Sequence, residues 1–307
     1  MLDKEFITLD ERFRRYAMGN VHIEKLWTGS RWAEGPAYFP AGKYLIWSDI
    51  PNDRLLRFDE TDNSVSVFAS PCNNQNGHTV DLEGRLIACE HRGRAVTRIE
   101  HDGSRRILAD RFEGKKLNSP NDAVVKSDGS IWFTDPSYGI DGEYEGDHAI
   151  SEIGACNVYR IDPINGAVTA VITDMVRPNG LAFSPDEKLL YVADTGLTHK
   201  ADCSPDIRVY HVAPDGRSVS AGRRFATCDN GLFDGFRVDI HGNIWSSAGD
   251  GVHCFAPDGT LIGKILIPEV VANVTFGGRK RNRLYICGTT SLYSVYLNTQ
   301  GALRPKV

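Results

Sequence analysis

The stretch RPNGLAFSPDEKLLYVADT, Arg177–Thr195, contains the pattern that decides the fold. Asn179-Gly180 follows a proline and leads into a short apolar segment, Leu181–Phe183. A Ser-Pro-Asp-Glu-Lys turn separates this segment from a second apolar run that ends on Asp194. Two short segments of this type joined by a tight turn predict an antiparallel hairpin. The polar pair directly before the first strand raises the question of whether the chain repeats it.

The chain repeats this arrangement six times, each time as a polar residue, a strand, a turn and a second strand. The units are EGPAYFPAGKYLIWSDI from Glu34, NGHTVDLEGRLIACEHR from Asn76, NDAVVKSDGSIWFTDPS from Asn121, NGLAFSPDEKLLYVADT from Asn179, DGFRVDIHGNIWSSAGD from Asp234 and NVTFGGRKRNRLYICGT from Asn273. A third segment such as RLLRFD follows in most units, and a fourth such as SVSVFA follows in several. A period of about 40 to 50 residues is typical of propellers and solenoids.

Four strands per unit, six units and hardly any helical periodicity predict an all-β fold, a six-bladed β-propeller. We expect residues 1–307 to form this single domain. A β-sandwich is the alternative all-β architecture, but it does not require a polar residue at the head of every unit. The sequence therefore favours the propeller.

The last unit lacks a fourth strand, because it stops after SLYSVYL near Leu297. The segment VHIEKLWTG, Val21–Gly29, precedes the first unit and has the composition of a strand. We expect the N-terminal segment, residues 1–30, to supply this strand and to close the ring. Closure would remove the exposed sheet edges that an open ring leaves.

Two long insertions follow the second strand of the third and fourth units. They are PSYGIDGEYEGDHAISEIGAC, Pro136–Cys156, and GLTHKADCSPD, Gly196–Asp206. Both are polar, and the first is also rich in glycine, which is typical of loops that carry function. We expect them beside one mouth of the central channel, where they would shape access to it.

The polar heads of the six units should converge, because the first strand of each blade lines the channel. They are Glu34, Asn76, Asn121, Asn179, Asp234 and Asn273. Carboxylate and amide oxygens are the ligands of hard divalent cations, and calcium takes about six to eight oxygens. The heads therefore predict a cation site on the axis, for calcium, with zinc, magnesium and manganese as alternatives.

Asn-Gly and Asp-Gly are also common turn residues, so a single copy would indicate only a turn. Six polar heads in register favour a site, since a turn needs no carboxylate. Glu34 and Asp234 would also repel each other across a narrow channel unless a cation lay between them.

The composition limits the classes of partner. The chain has 41% hydrophobic and 24% charged residues and a formal net charge of −5, so it offers no basic surface for nucleic acid. Its N-terminus has no uninterrupted apolar run, and no later segment approaches the length of a membrane span. We expect a cytoplasmic protein without nucleic-acid or membrane partners.

The seven cysteines are scattered, with no C-x-x-C pair. Cys89, Cys254 and Cys287 lie in apolar strand-like runs, where cysteine packs as a small hydrophobe. A nucleophile or zinc ligand is the alternative, but no histidine stands at metal-ligand spacing.

Four motifs carry a resemblance to a known family. They are Glu34-Gly35-Pro36, Asn118-Ser119-Pro120-Asn121-Asp122, Asn179-Gly180 and Asp234-Gly235. With them the chain resembles the gluconolactonase and senescence-marker-protein-30 (regucalcin-like) family over nearly its whole length. LNSPNDAVVKSDGSIWFTDPSYGI, Leu117–Ile140, is similar to the bacterial gluconolactonase branch. The resemblance implies a six-bladed propeller with a divalent metal, often calcium, that hydrolyses sugar lactones.

The resemblance also implies roles for individual residues. Glu34, Asn179 and Asp234 would be metal ligands, and Asn121 would be a further ligand or would reach the metal through water or substrate. Asp234 would also be the catalytic base. Ser119 occupies a position where mammalian members carry an arginine that grips substrate, so sugar selectivity does not carry over.

Further substrate contacts are expected around the metal-bearing mouth. His91, in CEHRGR, follows the second strand of blade two, and Tyr138 lies in the first long insertion. A solvated loop histidine and a surface aromatic residue are the alternative interpretations. The expected substrate contacts are Asn76, Asn121, His91, Tyr138 and Asn273.

A cation on the axis would polarise a lactone carbonyl, and Asp234 would accept the proton of the attacking water. A serine-hydrolase elbow is not available, because no G-x-S-x-G occurs in the sequence. The prediction is a sugar lactonase acting as a monomer or homodimer on a small-molecule sugar lactone such as D-glucono-1,5-lactone. A metal-dependent aryl-ester or organophosphate hydrolase and a non-catalytic ligand-binding propeller remain alternatives.

Overall fold

The computed structural model describes residues 5–303, and their strands form six antiparallel blades and one small hairpin. Two strands precede the blades, β1 (Phe6–Thr8) and β2 (Glu24–Thr28). Blade one contains β3 (Ala33–Phe39), β4 (Tyr44–Asp49), β5 (Arg54–Asp59) and β6 (Val65–Ala69). Blade two contains β7 (Gln75–Val80), β8 (Leu86–Glu90), β9 (Ala95–Ile99) and β10 (Arg105–Ala109). The hairpin of β11 (Arg111–Phe112) and β12 (Lys115–Lys116) follows.

The remaining blades have the same antiparallel order. Blade three contains β13 (Ala123–Val125), β14 (Ile131–Asp135), β15 (Asn157–Ile161) and β16 (Val168–Ile172). Blade four contains β17 (Pro178–Phe183), β18 (Leu189–Asp194), β19 (Asp206–His211) and β20 (Arg223–Thr227). Blade five contains β21 (Phe236–Val238), β22 (Ile244–Ala248), β23 (Gly251–Phe255) and β24 (Leu261–Leu266). Blade six contains β25 (Val271–Gly277), β26 (Arg283–Gly288) and β27 (Ser291–Tyr296).

The first strands of the blades form a closed inner ring. Strand β3 packs against β7, and contacts continue through β13, β17, β21 and β25 back to β3. The chain is therefore a six-bladed β-propeller, as the repeat predicted. Helical structure in residues 5–303 is limited to α1 (Tyr138–Asp141) and three 3-10 turns at Glu11–Phe13, Ile50–Asn52 and Gly196–Thr198.

The N-terminal segment closes the ring, which confirms the predicted closing strand. Strand β2 pairs antiparallel with β27, with Glu24 opposite Ser294 and Thr28 opposite Ser291. Blade six thus takes three strands from the C-terminal end of the chain and one from the N-terminal end. The pairing covers the edge of β27, which would otherwise present unpaired backbone groups to solvent.

A fifth strand on blade five was not predicted. Strand β1 pairs with β24, with Phe6 opposite Ile265. Phe13 and Tyr16 follow it and are fully enclosed by blades five and six, where both rings lie about 6 Å from that of Trp245. Residues 6–16 are therefore a packed part of the domain.

Deletion of residues 1–30 is expected to lower the unfolding temperature by more than about 10 °C, since it exposes β27 and removes Phe13 and Tyr16 from the core. A second truncation, lacking residues 1–20, keeps β2, so the difference between the two variants isolates the closing strand. Thermal unfolding followed by circular dichroism measures both. If the variant lacking residues 1–30 were as stable as the parent, ring closure by β2 would be contradicted.

The core lies between neighbouring blades and not at the axis. Trp132 in blade three packs edge-on against Phe183 of blade four, with ring centroids 5.4 Å apart. Trp245 in blade five meets Phe276 of blade six in the same way at 6.4 Å. Both tryptophans are fully buried. These contacts hold the blades together and leave the axis free for polar groups.

All seven cysteines are free thiols, and six of them are buried. Burial raises the pKa of the Cys89, Cys254 and Cys287 thiols, so all three stay protonated. They pack in strands, as predicted. No helix in residues 5–303 has the length and apolar character needed to cross a membrane.

Candidate active site

The polar heads sit where the inner strands are irregular. The ladder between the first two strands shifts register between Glu34 and Ala37 in blade one. Equivalent shifts occur at the heads of blades two, four and six. In blades three and five the head precedes the strand, at Asn121 and Asp234. Bulges of this kind change the direction in which a side chain points. The heads therefore need not follow the regular alternation of side chains between the two faces of the sheet.

The glycine after the head allows neighbouring inner strands to approach each other. A Cβ on Gly77 would lie 2.3 Å from the carbonyl oxygen of Asn121, and one on Gly180 would lie 2.2 Å from that of Asp234. The Gly77 N–H donates to the same Asn121 oxygen at 2.7 Å. The Asn-Gly pairs thus bring the heads of successive blades together, which is why glycine recurs after them.

Five of the six heads line a cavity of about 320 Å³ at one mouth of the channel. Its lining includes Glu34, Asn76, Asn121, Asn179 and Asp234, together with Trp32, Tyr138, Glu145, Thr195, Thr198, Gly231, Leu232, Gly249, Val270 and Val271. A polar floor and a partly apolar wall at the centre of a rigid ring are typical of a small-molecule site.

The two axial carboxyl groups are held in unfavourable surroundings. Burial, followed by repulsion from Asp234 and Asp122, raises the pKa of Glu34 well above its usual range. Burial, followed by repulsion from Glu145 and Asp122, raises the pKa of Asp234 to about 8. Only 3% of Glu34 is exposed, whereas part of Asp234 is accessible from the cavity. The site therefore brings acidic side chains together in surroundings that disfavour their ionised form.

Hydrogen bonds orient both carboxyl groups. Asn273 donates from Nδ2 to Glu34 Oε2 at 2.9 Å, and the Gly35 N–H donates to the same oxygen. The Asn179 side chain hydrogen-bonds to Asp234. The two carboxyl groups and their partners together come from four different blades, so the propeller as a whole fixes the site.

The donor set matches a hard divalent cation. The cavity lining contains three carboxyl groups, Glu34, Glu145 and Asp234, and no lysine or arginine. Within residues 5–303 no group of three or more His, Cys, Asp and Glu side chains is arranged to hold a metal. A cation here would therefore depend on amide oxygens beside two carboxylates, an all-oxygen set that suits calcium better than zinc.

The structure separates the expected substrate contacts into two groups. Asn76, Asn121 and Tyr138 line the cavity. His91 and Asn273 are buried and do not line the cavity. His91 contacts Asn76, and Asn273 hydrogen-bonds to Glu34. The Val274 N–H donates to Asn273 Oδ1 at 2.8 Å, so both ends of that amide bond to protein.

The two long insertions lie at the same mouth, as expected. The Tyr138 hydroxyl is 2.6 Å from Thr195 Oγ1 and 2.9 Å from Thr198 Oγ1, which joins the first insertion to the second. Ser119 supports this arrangement from below, because its buried hydroxyl accepts from the Gly139 N–H at 2.9 Å. The loops form one wall of the cavity.

Sequence reasoning missed Glu145 and Trp32. Burial, followed by repulsion from Asp141, raises the pKa of Glu145 to about 7. Nothing in the sequence distinguishes Glu145 from the other acids of its insertion. Trp32 stands two residues before Glu34. Residues two apart in an extended segment point to the same side, so this spacing could have placed Trp32 beside the site.

A family model described as "SMP-30/Gluconolactonase/LRE-like region" matches residues 32–290. The chain belongs to this family. The matched region of this SMP-30/gluconolactonase member includes all six polar heads. Strands β1, β2 and β27 lie outside it, so the closing strand and the strand that it pairs with are not part of the match.

Two curated relatives in the family are named for lactone chemistry. The gluconolactonase of Zymomonas mobilis is 32% identical over 302 residues, which covers 91% of this chain and 82% of that protein. Pentonolactonase XacC of Haloferax volcanii is 33% identical over 276 residues, which covers 84% and 82% of the two chains. The solved structure of a gluconolactonase from Xanthomonas campestris is 37% identical with a TM-score of 0.89, and the match covers 96% of this chain and 95% of that one.

Proposed function

We propose that this chain is a divalent-cation-dependent lactonase that opens sugar lactones such as D-glucono-1,5-lactone. The observation that carries the proposal is the convergence of Glu34, Asn179 and Asp234 on a cavity without a basic side chain. The named activities of the Zymomonas, Haloferax and Xanthomonas relatives support the substrate class.

Glu34, Asn179 and Asp234 would hold the cation, with Asn121 as a further ligand or a contact through water or substrate. Calcium is the proposed ion, because the donors are carboxylate and amide oxygens. When bound, the cation supplies Lewis acidity toward the lactone carbonyl and offsets the negative charge that raises the pKa of both carboxyl groups. Asn273 holds Glu34 in place through the hydrogen bond from its Nδ2.

Asp234 is the proposed base. Part of this side chain is accessible from the cavity, whereas Glu34 is almost completely covered, so a water molecule can reach Asp234 more readily. The carboxylate accepts a proton as water attacks the lactone carbonyl carbon. The ring C–O bond then breaks, and the same proton passes to the departing alkoxide oxygen. The products are the free hydroxy acid and an unchanged aspartate.

The remaining cavity wall fits a polyhydroxylated ring. Asn76, Asn121 and Glu145 offer hydrogen-bonding groups around the floor, and Trp32 and Val270 offer apolar surface. A cavity of about 320 Å³ is at the lower end of the range for small-molecule sites, which suits a single sugar ring.

A substrate panel at saturating calcium tests this proposal. We expect acid release from D-glucono-1,5-lactone and from a pentonolactone, measured by a pH indicator in weak buffer, and much slower turnover of phenyl acetate and paraoxon. Preferential hydrolysis of phenyl acetate or paraoxon would identify an aryl-ester or organophosphate hydrolase instead. Absence of turnover on every compound, with calcium bound, would indicate a ligand-binding propeller.

A further inference from the structure

His91 and Asn76 form a contact directly behind the cavity wall. His91 Nε2 lies 3.2 Å from Asn76 Nδ2, and His91 Nδ1 lies 3.2 Å from the carbonyl oxygen of Glu145. The imidazole is fully buried. A Cβ on Gly139 would come within 2.4 Å of the His91 Cβ, so the first insertion packs tightly over this residue and holds it in place.

These two contacts fix the tautomer of His91. Burial lowers the pKa of His91 to about 4, so the ring is neutral at physiological pH and carries one N–H. The Glu145 carbonyl oxygen only accepts hydrogen bonds, so the proton must be on Nδ1. Nε2 is then an acceptor, and the group that faces it must be the amino group of Asn76.

The tautomer in turn fixes the orientation of the Asn76 amide. The Nδ2 atom of Asn76 donates to His91. The Oδ1 atom of Asn76 is buried and has no hydrogen-bond partner among residues 5–303, although Asn76 lines the cavity. A buried acceptor without a partner is unfavourable unless a ligand supplies a donor. The other orientation would leave an amino group without an acceptor instead.

We propose that His91 is a positioning residue that orients Asn76, so that Asn76 Oδ1 accepts a hydrogen bond from a hydroxyl group of the lactone. This inference rests on the proposed lactonase function and assigns to Asn76 a contact with a sugar hydroxyl. His91 itself does not touch the substrate. The hydroxyl contact adds a reason for the site to favour sugar lactones over unsubstituted ones.

Two substitutions at His91 separate its two hydrogen bonds. In His91→Gln, the side-chain oxygen can occupy the Nε2 position and accept from Asn76, but the donor to Glu145 is lost. In His91→Asn, the amino group can occupy the Nδ1 position and donate to Glu145, but the acceptor for Asn76 is lost. Each variant therefore keeps one contact and removes the other.

We expect His91→Asn to lower kcat/KM for D-glucono-1,5-lactone roughly 3- to 10-fold, mainly through a higher KM, as the loss of one hydrogen bond in binding predicts. His91→Gln should stay within about twofold of the parent. Calcium affinity, measured by calorimetry, should be unchanged in both variants.

The other outcomes contradict the proposal. Equal losses in both variants, or a loss only in His91→Gln, would mean that anchoring of the insertion through Glu145 is what matters. Parental kinetics in His91→Asn would remove any role for the contact with Asn76. Weaker calcium binding in His91→Asn alone would make Asn76 Oδ1 a cation ligand and not a substrate contact.

The tautomer is measured independently of activity. In the parent protein labelled with 15N-histidine, long-range 15N–1H correlation spectra should show His91 protonated at Nδ1, with the signal assigned by single replacements of the other histidines. Protonation at Nε2 would reverse the Asn76 amide and refute the inference, even if neither variant folds. Failure of the parent to open any lactone would instead count against the proposed function, and the spectra would still decide the tautomer.

Discussion

Asp234→Asn is expected to reduce lactone turnover by roughly 10²- to 10⁴-fold, and saturating calcium is not expected to restore it. Asparagine keeps one oxygen for a cation and nearly the same shape, but it cannot accept a proton from the attacking water. The rate of acid release from D-glucono-1,5-lactone measures the loss. Circular dichroism is expected to show an unchanged fold, because the substitution removes no core contact.

Asn179→Asp is the matched control at the neighbouring head. It keeps an oxygen at the same place and adds a negative charge, so it is expected to retain the cation and to perturb turnover less than Asp234→Asn. Near-parental turnover by Asp234→Asn under saturating calcium would show that another group is the base. Glu145 would then be the first candidate, because it lines the same cavity.

In the metal-free chain, the stability of the fold is expected to depend strongly on pH. The pKa of Asp234 is about 8 in the folded chain, far above the value near 4 of an exposed aspartate. Between these values the folded state holds a proton that the unfolded state has released, so folded stability falls as pH rises from about 4 toward 8. The raised pKa of Glu34 acts in the same direction.

If the axial carboxylates hold calcium as proposed, calcium should reverse this loss, because it would bind the ionised carboxylates of the folded chain. At a calcium concentration of about 100 times Kd, linkage predicts about 2.7 kcal/mol of stabilisation, or a rise in unfolding temperature of roughly 5 °C or more. The rise should be larger at pH 8 than at pH 5, where protons compete with the cation. Thermal scans in EDTA and in calcium at both pH values check this. A calcium effect that is the same at both pH values would contradict the assigned carboxylates.

The fold was readable from the sequence because each blade is a local repeat. The period was recognisable from two recurring features: the polar head and the turn between the first two strands, as in SPDEK before Leu189. The incomplete last unit then required a strand from elsewhere. The pairing of β2 with β27 followed from that deficit. Strand β1 left no such signal, because blade five was already complete without it.

The floor of the site was predictable, and its surroundings were not. Glu34 and Asp234 stand at equivalent points of a repeat, so their convergence follows from the symmetry of the ring. Glu145 comes from an insertion that has no counterpart in other blades. The orientation of Asn76 depends on which nitrogen of His91 carries a proton, and that is decided by a backbone carbonyl of the insertion.

The most direct test of the central claim is titration of chelator-treated protein with calcium while acid release from D-glucono-1,5-lactone is followed. If the axial carboxylates hold one catalytic cation, activity should be absent in EDTA and should rise to a plateau at one calcium per chain under tight-binding conditions. The Glu34→Gln variant should need much more calcium to reach any activity. Full turnover in EDTA, with no response to added calcium, would contradict the account.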